Sequence, residues 1–406
     1  MKHPLQLRII RGNSRAMNSR ERLLRTINGE ATDRVPVTLF IQDHGHFIHQ
    51  LHPGIDPLDY EELTFKVIDY QRSLGCDVFA RMIFDLYHPL GICLGGVDDG
   101  HETDTWSVKT GLKEEGNNLV RSSVITTPDG ELSQVFVRTA LNRGTYVYCC
   151  TKKPISSEKD LQIAVMYEPK MSAAYGAMVK EKIRRIKDYL GDDGILGTWV
   201  AGGPFNNASM LMDHTQLYML FLTEPEFFDR LMQFTTNRTL DYTQAFIDAG
   251  ADVMLVGGNV PGGFLGARTY EQHILPYEKR YIDFIQGQGC PAVYHNCGQI
   301  MSLVASYKKL GARVVEPFSP VPLGDADLGR AVDIVRGDYV IIGGVDQVNV
   351  LQKGTLDQVR QATLQTMEAG KRNGPFIIQS ADFLEYNTPV ENVEEFVTTA
   401  MATAMY

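Results

Sequence analysis

The chain has 406 residues, 44% of them apolar and 22% charged, with a formal net charge of −10. The acidic surplus argues against a nucleic-acid partner or an anionic membrane surface, and no apolar run reaches the roughly 20 residues a membrane-spanning helix needs. Six cysteines, at 76, 93, 149, 150, 290 and 297, form no disulfide-like framework and suit a reducing, cytoplasmic compartment.

Residues 1–16 are basic but lack a sustained apolar core, so they read as a disordered extension ahead of Met17 rather than a signal peptide. NSRERLLRTINGE (18–30) reads as a helix, with Asn18 and Glu21 in capping-box positions. PVTLFI (36–41) and DVFARMI (77–83) are short, nearly continuous apolar runs, the pattern of strands buried on both faces. Residues 100–150 break this rhythm. DTWSVKT, LVRSSVITTPDGELSQVFV and GTYVYCC alternate as antiparallel strands do, with Pro128-Asp129-Gly130 as a turn. Buried-strand patterns then return at 195–200, 252–257, 291–295, 313–318, 339–344 and 375–379. Amphipathic helical patterns separate them at 225–250, 270–289, 300–311 and 354–374. Eight buried strands alternating with helices predict a (β/α)₈ TIM barrel over residues 17–406. The N-terminal helix is then an extension, and the β-rich stretch near 100–150 an insertion over the barrel mouth.

The active site of such a barrel lies at the C-terminal ends of its strands. The first predicted strand ends in Gln42, Asp43, His44 and His46, and the second in Asp85, Tyr87 and His88. Phe205 and Asn206 follow the third, Asn259 the fourth, His295 and Cys297 the fifth, Glu316 the sixth and Asp346 the seventh. Asp382 and Glu385 follow the eighth. Residues i and i+2 of a strand share a face, so His295 and Cys297 of HNCG can aim an imidazole and a thiolate into one space, half of a zinc site. A buried imidazole beside a structural thiol is the plainer alternative. Asp382 can complete the ligand set or cap the next turn, and Glu316 inside VVEPF needs a partner or a metal. Asp85 and Asp346 can act in chemistry or bond backbone amides. The histidines at 44, 46, 49 and 52 suit a solvated or substrate-facing loop better than a second metal. The GGNVPGG glycines (257–263) suit a phosphate cradle or a simple bend.

The order NSRERLLRTINGEATDRVPV, SLGCDVF, GADVML, LPYEKRYIDFI, YHNCGQI, GGVDQVNVLQKGT and NTPVENVEEF resembles the uroporphyrinogen decarboxylase superfamily over nearly the whole chain from residue 17. That resemblance implies the same (β/α)₈ barrel and two branches: true decarboxylases, and zinc- and cobalamin-linked methyltransferases. The decarboxylases carry R-Q-A-G-R-Y after the first strand to grip substrate carboxylates, whereas this chain reads FIQDHGHFIHQ, without arginine. The H-x-C-G element belongs to the methyltransferases and is present here. Those enzymes also carry a second cysteine about seven residues before T-P-x-E-N. Here that element is Thr388–Asn392, and Asp382 stands at the cysteine's place.

The resemblance therefore implies a zinc-dependent methyltransferase that moves a methyl group between a small methylated substrate and a corrinoid carried by a separate protein. Metal ligands would be His295, Cys297 and Asp382, with Glu316 or Glu385 as alternates. Asp85, His44 and Tyr87 would serve catalysis, and Asn259, Phe205, Asp346 and His46 would bind substrate or corrinoid. One carboxylate in place of a thiolate makes a harder Lewis acid, suited to polarising oxygen, as in a methoxylated aromatic. The alternatives are methyl transfer to a thiol such as coenzyme M, uroporphyrinogen decarboxylation, and a non-catalytic ligand-binding barrel. No nucleic-acid or membrane partner is expected, and a homodimer is a possible assembly.

Overall fold

In the computed structural model, the described residues are 17–41, 46–56, 59–83, 102–142, 145–199 and 202–406. The predicted extension (1–16) therefore lies outside them, as do His44, Asp85, Tyr87 and His88 and the side chain of His46.

Seven parallel strands form the barrel wall in chain order. They are β1 (Val78–Ile83), β6 (Gly194–Trp199), β7 (Val253–Gly257), β8 (Ala292–His295), β9 (Val314–Glu316), β10 (Val340–Val345) and β11 (Phe376–Ser380). Their continuous apolar sequences follow from burial on both faces. Alternate residues such as Val253 and Leu255, or Val340 and Ile342, face an inner cluster, while their neighbours pack under the surrounding helices.

The expected first strand is the eighth stave, with few ladder bonds of its own. Val37 bridges Ile378 of β11 in parallel, Thr38 donates to the Ile378 carbonyl at 3.0 Å, and Asp77 N–H donates to the Val37 carbonyl at 2.9 Å. Between this segment and β1, the Gln71 side-chain oxygen accepts from both Leu39 and Phe79 N–H, each at 3.4 Å. A side chain thus stands where backbone pairing would continue, which keeps 36–41 from forming a full ladder.

The helix Ser19–Ile27 starts at Asn18, whose side chain accepts from Glu21 N–H at 2.7 Å. Its Leu23 and Ile27 join the inner cluster beside the strand starts and plug the N-terminal end of the barrel.

The insertion is an antiparallel meander of β2 (Ser107–Glu115), β3 (Asn118–Thr127), β4 (Gly130–Asn142) and β5 (Thr145–Lys152). Its base is fastened to the helix Pro204–Leu211, which follows the C-terminal end of β6. Ile155 N–H donates to the Leu211 carbonyl at 3.0 Å, and Lys153 donates to the Ser209 carbonyl. The predicted helix at 300–311 is shorter than expected. Only Tyr307–Leu310 is regular helix, and consecutive turns precede it, their first amides capped by Asp325. Among the described residues, no helix is long and apolar enough to cross a membrane.

Candidate metal centre at the barrel mouth

His295 is the last residue of β8, and Cys297 follows two positions later on the exposed rim. Between them Asn296 turns the other way into the core. Its side chain accepts from Val260 N–H at 2.7 Å and donates to the Val260 carbonyl at 3.1 Å and the Tyr307 hydroxyl at 2.8 Å. This double tether joins the HNCG turn to the loop after β7 and fixes the direction of both flanking side chains.

Asp382 approaches from the end of β11. One of its oxygens accepts from Phe383 N–H at 2.8 Å, and the other lies 4.0 Å from His295 Nε2. One donor atom each from His295, Cys297 and Asp382 falls within a 4.8 Å span. Donors on a tetrahedral zinc are about 3.3–3.8 Å apart, from bonds of about 2.0–2.3 Å. The three residues fit such an ion in donor chemistry, and a small contraction brings them to bonding distance.

Behind the imidazole lies a buried polar network. His295 Nδ1 is 3.2 Å from Glu316 Oε1, so the ring places its Nδ1–H on a carboxylate and leaves Nε2 facing Cys297 and Asp382. Glu316 is fully buried and grips Arg81 through a two-pronged ion pair of 2.5 and 2.6 Å. Gln379 donates to the same carboxylate at 3.2 Å. The Arg81 guanidinium lies between the rings of Phe40 and Phe79, at 4.0 and 4.2 Å from their centroids.

Electrostatics follow from this packing. Burial opposes ionisation of Glu316, but Arg81 and His295 outweigh it and hold the carboxyl down at about 2. Burial likewise disfavours the imidazolium of His295, yet Cys297, Glu316 and Asp382 together hold it up at about 10. Burial raises the Asp382 carboxyl above its usual range. One imidazole ringed by three acidic groups is a setting that favours added positive charge. Aromatic walls complete it: Phe40 and Trp199 meet the His295 ring edge-on at 5.7 and 5.3 Å, and Phe383 packs on Phe40.

Several residues expected at the site take other roles. Glu316 does not line the donor cluster; its four hydrogen bonds turn it into the support of His295. Glu385 is half-buried and its carboxyl is raised, by burial first and then by Asp382, but it stands outside the cluster. Phe205 is fully buried in the core and stacked on Tyr218. Asp346 caps the helical turn Gln347–Gln352, accepting from Val348 and Asn349 N–H at 2.8 and 2.7 Å and from the Asn349 side chain at 2.8 Å. Asn259 sits exposed at the rim and donates to the Asn206 side chain at 2.6 Å. The GGNVPGG stretch is no open cradle: a side chain at Gly258 would strike the Tyr294 hydroxyl, and one at Gly262 the Gln299 carbonyl. Arg81 and Gln379 went unseen because they sit inside apolar strand patterns. The available signal was that a buried arginine and a buried glutamate each require a partner.

The family model described as uroporphyrinogen decarboxylase (URO-D) matches residues 144–402. The chain is 26% identical over 195 residues to the methylcobamide:CoM methyltransferase MtbA of Methanosarcina acetivorans, covering 48% of this chain and 55% of that protein. It is 27% identical over 210 residues to a uroporphyrinogen decarboxylase of Corynebacterium efficiens, covering 49% and 57% respectively. The chain thus spans little more than half the length of these curated relatives. In fold it matches a solved methyltransferase from Methanosarcina mazei with a TM-score of 0.68 at 16% identity, over 95% of this chain and 99% of the other. With a family match that takes in six of the seven barrel strands and both ends of the donor cluster, the chain belongs to the uroporphyrinogen decarboxylase family.

Proposed function

We propose that the protein is a zinc-dependent methyltransferase acting between a small methylated substrate and a corrinoid held by a partner protein. The observation that carries this reading is the convergence of His295, Cys297 and Asp382 at the C-terminal mouth. When bound there, the metal would supply Lewis acidity toward the heteroatom that the methyl group leaves.

The chain's own residues do the rest. His295, Cys297 and Asp382 hold the ion, and Glu316 fixes the imidazole by accepting its Nδ1–H. Partly exposed Trp199 and Phe383, backed by buried Phe40, give the rim beside His295 an apolar character that favours a methyl-bearing, flat substrate over water. A donor set with one thiolate and one carboxylate favours an oxygen leaving group, hence a methyl ether such as a methoxylated aromatic. The methyltransferase named among the relatives supports the branch. Decarboxylation of a polyanionic substrate is the weaker reading, because both amino groups of buried Arg81 are bound to Glu316 and the stretch 40–50 contains no arginine.

The test is single-turnover demethylation of a methoxylated aromatic with reduced free cobalamin as acceptor, followed by absorption. Methylcobalamin formation that needs zinc and is lost in His295→Ala supports the proposal. Equal rates with zinc-free protein, or turnover of uroporphyrinogen instead, would falsify it.

A further inference from the structure

Arg81 is the least expected residue near the site: a fully charged side chain, 1% exposed, inside the barrel wall. Its fork matches both oxygens of Glu316, at 2.5 and 2.6 Å, and two aromatic faces hold the guanidinium flat. Glu316 is one side chain from the donor cluster, with His295 Nδ1 at 3.2 Å from Oε1. An unclamped carboxylate so near a divalent cation is itself a good ligand. We infer that Arg81 is a positioning residue that keeps Glu316 out of the metal's coordination shell, so that the ion takes three protein donors and keeps an open position for substrate.

Each oxygen of Glu316 is occupied on this account. Oε1 receives Arg81 and His295 Nδ1; Oε2 receives Arg81 and the Gln379 side chain. Neither oxygen retains a lone-pair direction for a metal, and rotating the carboxylate would break all four bonds while leaving a buried guanidinium unpaired. A lysine at position 81 keeps the charge but offers a point donor instead of a fork. One oxygen of Glu316 would then be released.

The inference rests on the metal site proposed above, and cobalt(II) substitution separates the two, since its visible bands report coordination number without any turnover. Wild-type protein should bind one cobalt(II) per chain with the intense bands of a four-coordinate ion: three protein donors and one water. In Arg81→Lys the released carboxylate should add to the shell, and the bands should weaken and shift as five-coordinate ions do. Adding Glu316→Gln to that variant should restore the four-coordinate spectrum, because a neutral amide is a poor ligand. Glu316→Gln alone should keep the wild-type spectrum while weakening zinc binding by roughly 10–100-fold, the usual effect of losing a carboxylate behind a ligating histidine. Should Arg81→Lys fail to fold, a wild-type spectrum that is already five-coordinate, or one that changes in Glu316→Gln alone, overturns the inference by itself. Unchanged bands in Arg81→Lys, or a shift that persists in the double variant, also overturn it. Failure of wild-type protein to bind cobalt or zinc at all overturns the metal site instead.

Discussion

In the proposed metal centre, Asp382 sets the character of the ion. Its carboxylate completes a cluster with one imidazole and one thiolate, where a second thiolate would make a softer, more electron-rich ion. Asp382→Cys should therefore retain zinc but shift selectivity from methyl ethers toward methylated thiols, as rates on matched oxygen and sulfur substrates will show. A second residue-scale prediction concerns Glu278, fully buried, with Phe205 N–H at 3.1 Å from one oxygen and no partner for the other among the described residues. Burial raises its carboxyl to about 8 from 4.5, against the weaker pull of that hydrogen bond. The phenols of Tyr270, Tyr281, Tyr294 and Tyr307 around it are themselves raised by burial and stay neutral through this range. In the unfolded chain the group ionises near 4.5, while in the folded protein it keeps its proton up to about 8. Its contribution is therefore complete below pH 4.5 and lost progressively as pH rises to 8. Glu278→Gln should flatten that decline, so denaturant midpoints of variant and wild type should diverge in the variant's favour between pH 5 and 8. Parallel pH profiles for the two proteins would contradict it.

At the scale of elements, the site depends on how the HNCG turn is held. Asn296→Ala removes three hydrogen bonds and strands Val260 N–H and the Tyr307 hydroxyl in the core. A loss of about 1–3 kcal/mol in chemical denaturation is expected, with weaker zinc binding as the turn loosens. A variant of wild-type stability would show that the tether is incidental. The helix at Ser19–Ile27 plugs the opposite end of the barrel, and Leu23→Ala should cost about 2–5 kcal/mol while leaving zinc affinity unchanged. The elements themselves were largely legible in the sequence, because strands buried on both faces leave an uninterrupted apolar signature and the insertion alternates. Two departures have local causes: Gln71 interrupts pairing of 36–41, and Asp325 caps turns where a full helix was expected at 300–311.

On the scale of the whole molecule, the chain separates stability from chemistry. Apolar side chains and the N-terminal helix fill the lower barrel, where the buried carboxylates of Asp77 and Asp252 pair with Arg22, Arg34, Arg20 and Lys187, while the network of Arg81, Glu316 and His295 lies toward the upper end. The i, i+2 spacing of His295 and Cys297 was readable directly, and Asp382 through a counted interval to Thr388–Asn392. The support of His295 was not readable, because Arg81, Glu316 and Gln379 lie 235 and 63 positions apart and meet only when the barrel closes. Phe205 and Asp346 look alike in sequence to site residues, since both follow strand ends; packing and capping claim them first. The central claim is that one histidine, one cysteine and one aspartate hold a single zinc ion. X-ray absorption at the zinc edge tests this most directly. The account predicts one zinc per chain with a single sulfur at about 2.3 Å and nitrogen or oxygen donors at about 2.0–2.1 Å. A zinc-free protein, or a shell with two sulfurs or none, would contradict it.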